Sequence, residues 1–148
     1  VDGSEGVYYV PIGMGTRVEK SARVHPSARL GRFVYVGDGA HVDDGAVIGD
    51  GTVIEAGAYI GRRAYIGARC WIGAGAVVQD QARLYNLVTV GDNANVYGIC
   101  QVDDLAVIGN NAVVGYRCWI GTRANVPPES EVEDGTYVPF GTSYVPAA

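Results

Sequence analysis

Histidine is nearly missing from this 148-residue chain: His25 and His41 are the only two. A general base therefore has few places to stand, and nothing beyond position 41 carries an imidazole. No apolar run reaches membrane-span length, so no membrane partner is expected. The opening VDGSEG has neither the basic nor the apolar region of a secretory signal, and a cytoplasmic location is the expectation. The first residue is Val and the sole methionine is Met14, which points to processing, trimming or an upstream segment before Val1. Neither sign of charge is concentrated. The net charge is −5, with acidic and basic residues interleaved, so there is no field to attract a nucleic acid. Arg62, Arg63 and Arg69 form the nearest thing to a basic cluster and read as a solvated edge. Gly-x-Ser-x-Gly elbows and Gly-Lys-Ser/Thr phosphate loops are absent as well.

What the chain does have is a ruler. An aliphatic residue recurs every six positions from Ile12 through Val18, Val24 and Leu30 to Val132 and Val138, without a slip. Two residues before each lies a second series of Ala, Val, Thr, Cys or Ser, including Ala28, Ala46, Cys70, Ala94 and Thr136. A helix face would space its apolar residues by three or four and a half-buried strand by two. Spacing by six requires a short strand plus a turn in every unit, with the large and small residues pointing inward. Gly often follows the large residue, as at Gly31, Gly61 and Gly91. Gly or Asn recurs two positions later, at Gly39, Gly57, Gly75, Asn93 and Asn111, where a corner demands positive φ.

These residues resemble the hexapeptide-repeat family, whose signature is an aliphatic residue, Gly, two variable positions, a small residue and one more. The resemblance spans residues 10–142. It implies an all-β fold, a left-handed parallel β-helix of triangular section with three hexads per coil. Periodicity alone gives only a parallel solenoid, and the handedness comes from the resemblance. Twenty-two hexads make about seven coils, roughly 33 Å of strands stacked at about 4.8 Å. The expected organisation is an N-terminal arm or cap over 1–11, the solenoid over 12–143 and a tail over 144–148. Tyr8, Tyr9 and Pro11 at one end, and Pro139, Phe140, Tyr144 and Pro146 at the other, fit covers for the open ends, or a tail reaching a neighbouring subunit. Cys70, Cys100 and Cys118 fall on the small inward series. They are expected to be free thiols acting as small hydrophobes in a reducing compartment.

Counting in steps of 18 sorts the outward residues into three faces. One carries Tyr35, Val53, Trp71, Thr89 and Val107 in consecutive coils, an apolar and aromatic stripe that fits a subunit interface. A homotrimer is what the resemblance implies. The other two faces, beginning at Arg23 and at Arg29, are mixed. Tyr85, Leu87, Tyr97, Ile99 and Leu105 are apolar corner residues within two coils, a patch suited to packing or to a pantetheine-like or aliphatic group.

The family's enzymes are mostly acyltransferases using acyl thioesters, with a catalytic His near a subunit interface and loops that interrupt the repeats. Here no insertion breaks the count. His25 with Asp43 one coil later is the best available dyad, against a plain reading as a corner His beside a solvated Asp. His41 reads as a surface or interface residue. The histidine trio of the zinc enzymes on this scaffold cannot be supplied, and Gly-Asp-Gly at 37–39 and 49–51 reads as corner geometry; no metal is expected. The expected function is a non-catalytic structural or oligomerising module without cofactor, a rigid trimeric rod or spacer in a larger assembly or parent chain. The alternative is an acyltransferase that takes a coenzyme A thioester between subunits. A flat carbohydrate- or ice-binding face is a third class, although threonine ladders are absent.

Overall fold

The computed structural model describes residues 13–146; the arm at 1–11, with Tyr8, Tyr9 and Pro11, lies outside the described residues. From Arg17 to Val138 the chain makes 21 two-residue strands, each ending on a residue of the aliphatic ruler. All the pairings are parallel and join residues 18 apart, as in Tyr35↔Val53 and Val36↔Ile54. The strands fall into three seven-stranded sheets. Sheet I begins at Arg17–Val18 and ends at Asn125–Val126, sheet II runs from Arg23–Val24 to Glu131–Val132, and sheet III from Arg29–Leu30 to Tyr137–Val138. The result is a three-sided parallel β-solenoid of seven coils. No helix is present among the described residues, so none is long and apolar enough to cross a membrane.

Both inward series fill one axial column. Ile48, Ile54, Ile60, Ile66, Ile72, Leu84, Ile108 and Ile120 are buried, and Ala58, Ala64, Ala76, Ala94 and Ala112 are buried between them. Each large side chain removed from water stabilises the column by roughly 1.5–3 kcal/mol before entropy is counted. Alanine in alternation keeps the three walls close enough for that contact.

The corners follow two rules. The third residue after the large core residue has positive φ whatever its side chain: Gly57 and Gly75 at 72° and 69°, but also Phe33, Leu87 and Ile99 at 56°, 60° and 61°. Among the described corners only Ser21 and Ser27 escape this. The second rule concerns the residue before. Asp or Asn there accepts the backbone N–H of its counterpart one coil earlier, as in Arg62 to Asp80, Ala68 to Asn86 and Tyr116 to Asp134, each at 2.9 Å. That crossing explains glycine directly after the aliphatic residue. A Cβ on Gly61 would lie 2.5 Å from Asp80 Oδ1, and one on Gly67 2.6 Å from Asn86 Oδ1. Glycine is needed at these positions for close approach rather than for φ.

The far end of the column is covered. Ser143 bridges to Asn125, and Tyr144 donates its N–H to Asn125 O at 2.8 Å and its phenol to Glu131 O at 3.0 Å. Its ring packs against the core, and Val132 and Val138 stay buried in the last coil.

Candidate functional site

The two histidines occupy different settings, and neither makes the expected pair. His25 Nδ1 accepts the Ser27 N–H at 3.1 Å, with Ser27 Oγ 2.7 Å away and Asp44 Oδ1 at 3.8 Å. Asp43 turns elsewhere: Oδ1 accepts the Asp44 N–H at 2.7 Å and Oδ2 accepts the Tyr59 hydroxyl at 2.8 Å. The expected dyad of His25 with Asp43 is therefore not formed. Each side chain is captured by the turn it begins, because a local N–H is nearer than the next coil. Accepting at Nδ1 also leaves neutral His25 with its proton on Nε2, a donor rather than a base facing outward.

Asp43 belongs instead with Tyr59 and His41. The His41 and Tyr59 rings meet edge to face at 5.4 Å between centroids. Burial, then the hydrogen bond to Asp43, pushes the Tyr59 phenol up to about 12. The Asp44 N–H, followed by the Tyr59 hydroxyl, holds the Asp43 carboxyl below its usual range. Both groups are fixed in their resting protonation states near neutral pH, which suits a strut better than proton transfer.

This strut recurs, and the face-by-face count did not anticipate it. Tyr35 donates to Glu19 at 2.9 Å, Trp71 Nε1 to Glu55 at 2.9 Å and Trp119 Nε1 to Asp103 at 2.7 Å. In each case, as in Tyr59–Asp43, the acid begins a corner and the aromatic residue stands 16 positions later on the same face. An acid at i with Tyr or Trp at i+16 would have been the signal. The polar atom of each ring is satisfied within the chain, and what remains for a partner is hydrocarbon.

The stripe Tyr35, Val53, Trp71, Thr89 and Val107 is continuous in the structure, each residue paired with the next across sheet I. Trp71 and Val107 are exposed and the other three half-buried. Sheet III is mixed, exposing Arg29 and Arg83 together with Tyr65, Trp119 and Tyr137, and the last two rings lie 4.6 Å apart. The corner patch divides. Tyr85, Leu87 and Leu105 lie where sheet III turns into sheet I, whereas Tyr97 and Ile99 lie where sheet II turns into sheet III. One face of the prism separates the two groups, so they do not form a single surface.

Concavities are shallow and follow the corners. A groove of about 440 Å³ runs from Tyr59 past Gly98 and Ile99 to Tyr116. A second, of about 540 Å³, lies between Phe33 and Leu87 with Arg69 across it. The three cysteines are free and buried, and their Sγ atoms contact the Tyr85, Gly115 and Glu133 carbonyls. Burial pushes the Cys70 thiol up. Among the described residues no group of three or more His, Cys, Asp or Glu side chains converges as metal ligands would.

Two family models match adjoining segments: bacterial transferase hexapeptide (six repeats) over residues 27–62, and hexapeptide repeat of succinyl-transferase over residues 63–97. Among solved structures the chain is similar to UDP-N-acetylglucosamine O-acyltransferase from Moraxella catarrhalis. The identity is 21% and the TM-score 0.61, covering 90% of this chain and 66% of that one. It is also similar to a GDP-perosamine N-acetyltransferase variant from Caulobacter crescentus in complex with CoA and GDP-perosamine, at 24% identity and TM-score 0.52, covering 85% and 53%. The acetyltransferase domain of PglB from Neisseria gonorrhoeae, in complex with acetyl coenzyme A, gives 18%, 0.51, 85% and 55%. The chain thus spans about two thirds of the first of these and about half of the other two. Curated protein sequences give no match. At these identities the likeness shows the fold.

Proposed function

The chain is a hexapeptide-repeat protein, and on that premise we infer that it serves as a non-catalytic scaffold, a rigid rod that associates through its flat faces. The observation that carries this reading is the unbroken run of 21 strands between Arg17 and Val138. Every inter-strand segment is the same four-residue corner, and no longer loop rises to wall off an acceptor. The locked Tyr59–Asp43 pair and the local engagement of His25 Nδ1 by Ser27 support it, since both tie up groups that a base would need free. A homotrimer packed through Tyr35, Val53, Trp71, Thr89 and Val107 is the expected assembly, without cofactor, in the cytoplasm. Sedimentation tests the association. Trp71→Glu would place a charge in the contact and reduce the assembly to monomer, and a wild-type monomer in dilute solution would remove the reading.

Acyl transfer is the second reading, favoured by one observation. The groove at Tyr59 adjoins the Tyr59–His41 ring contact, and two similar structures hold coenzyme A or its acetyl ester. It requires saturable coenzyme A binding and an acyl-transfer rate that falls when a histidine is removed. His41→Ala and His25→Ala distinguish the two imidazoles. Coenzyme A that fails to bind at millimolar concentration leaves the scaffold reading in place.

A further inference from the structure

One corner departs from the others in both of its central residues: among the described corners it alone has Gly at the second position and a β-branched residue at the positive-φ third. Four corners carry Asp then Gly at their second and third positions: Asp38-Gly39, Asp44-Gly45, Asp50-Gly51 and Asp134-Gly135. Residues 98 and 99 reverse that order. Gly98 stands where, at seven other corners, Asp or Asn reaches back to cap the previous coil, and Ile99 stands at φ 61°, in the region that a β-branched residue least tolerates. Ile99 is also 53% exposed, so no burial offsets its conformation. An outlier of this kind, held in place by the rest of the fold, points from structure toward use.

Its consequence is a groove. At seven corners an Asp or Asn oxygen from the following coil sits 2.9 Å from a backbone N–H. Gly98 has no such oxygen to give, and the Asp80 N–H has no acceptor among the described residues. The Gly98 N–H lacks one too, because Tyr116 occupies the next cap position, and Gly98 is buried. Ile99, Tyr116 and Val77 give the hollow apolar walls, Gln79 and Gln81 line it, and its volume of about 440 Å³ falls within the usual range for small-molecule sites, roughly 300–1,000 Å³. A second hollow shares Asp80 and Gln81 and is lined by Arg62 and Arg63. Neither arginine makes an ion pair among the described residues.

We propose that the Gly98–Ile99 groove binds a small carboxylate carrying an apolar or aromatic body. One carboxylate oxygen takes the place of the missing Asp or Asn oxygen at the Asp80 N–H, the arginines balance its charge, and the body lies against Ile99 and Tyr116. The Asp80 Oδ1 faces the preceding coil, where it accepts the Arg62 N–H, and the negative charge of this carboxylate is the cost that Arg62 and Arg63 have to offset. This goes beyond the scaffold reading and holds whether or not the rod also catalyses.

The test is an amide-resonance titration of the full chain with 4-phenylbutyrate, with 4-phenylbutanol as the uncharged control. Saturable shifts centred on Asp80 and Gly98 are expected, with the alcohol weaker by on the order of tenfold. Ile99→Asn suits positive φ, so it should raise the melting temperature while weakening the carboxylate by on the order of tenfold. Tyr116→Ala provides a second wall variant with the same expected loss. Shifts centred elsewhere, no saturation, equal binding of the alcohol, or affinity unchanged in both variants would each overturn the proposal.

Discussion

Two kinds of corner share one backbone. Where sheet I turns into sheet II the positive-φ position holds Gly39, Gly57, Gly75, Asn93 and Asn111, the residues that accept that conformation with least strain, and only in the last coil a Glu, Glu129. The other two corners hold Phe33, Arg69, Leu87, Leu105 and Arg123, or Arg63, Gln81, Ile99 and Arg117, at nearly the same φ, with glycine there at Gly51, Gly45 and Gly135. The fold tolerates both, since each corner is held by bonds to its neighbouring coils as well as by its own preference. Residues suited to positive φ dominate one edge of the prism and are the minority along the other two, and those two flank sheet III with its exposed Tyr65, Trp119 and Tyr137. The same two edges also hold both of the larger grooves.

The contrast presumes a column that keeps all three edges in register, and the strongest way to break it is from inside. Ala94 is fully buried, and Ala94→Phe should cost about 1–3 kcal/mol or more by overpacking. An unchanged melting temperature would mean that the column is not shared. Next in size is a transplant of strain. A Cβ on Gly57 would meet nothing closer than 3.9 Å, so Gly57→Ile tests φ alone and should cost roughly 1–2 kcal/mol. The reverse exchange, Leu87→Asn, should gain roughly 0.5–1 kcal/mol in chemical denaturation, provided the leucine is kept for contacts the isolated chain does not make. A loss there would show that Leu87 stabilises its own corner.

The smallest effect is one of pH and separates the struts from the corners. Asp43 has a folded pKa below its ordinary 3.8, so its contribution is present above that value and is lost as pH falls through the folded pKa. Tyr59 is raised from 10.0 to about 12. Its contribution is complete below pH 10 and disappears as pH rises toward 12. Tyr59→Phe should flatten the alkaline limb of a stability profile and soften the acid one. A profile identical to wild type at both ends would remove the strut.

The architecture was readable because burial in a repeat leaves an arithmetic trace. Val36, Ile54, Ile72 and Val90 stack on one another for no reason other than being 18 apart. Corner φ was half readable: Gly and Asn announced it at Gly57 and Asn93, whereas Phe33 and Ile99 concealed it because tertiary bonds override preference. Side-chain direction was the least legible. Asp43 and His25 occupy equivalent positions, as expected, but each accepts a local N–H, from Asp44 and Ser27 respectively, and spacing by 18 does not choose between that bond and one to the neighbouring coil. The division of the corner patch could have been counted, since Tyr85 and Tyr97 differ by 12 rather than 18.

A solenoid grows like a crystal one molecule thick, and its last layer is a template on which any strand of matching pitch could condense. Tyr144 acts on that layer as an adsorbed impurity acts on a growing crystal face. Its half-buried ring packs against the core, while its amide and phenol engage carbonyls of two different sheets, Asn125 and Glu131. A single aromatic residue laid over two of the three walls thereby makes the length of the rod a property of the chain, rather than of how many chains are present.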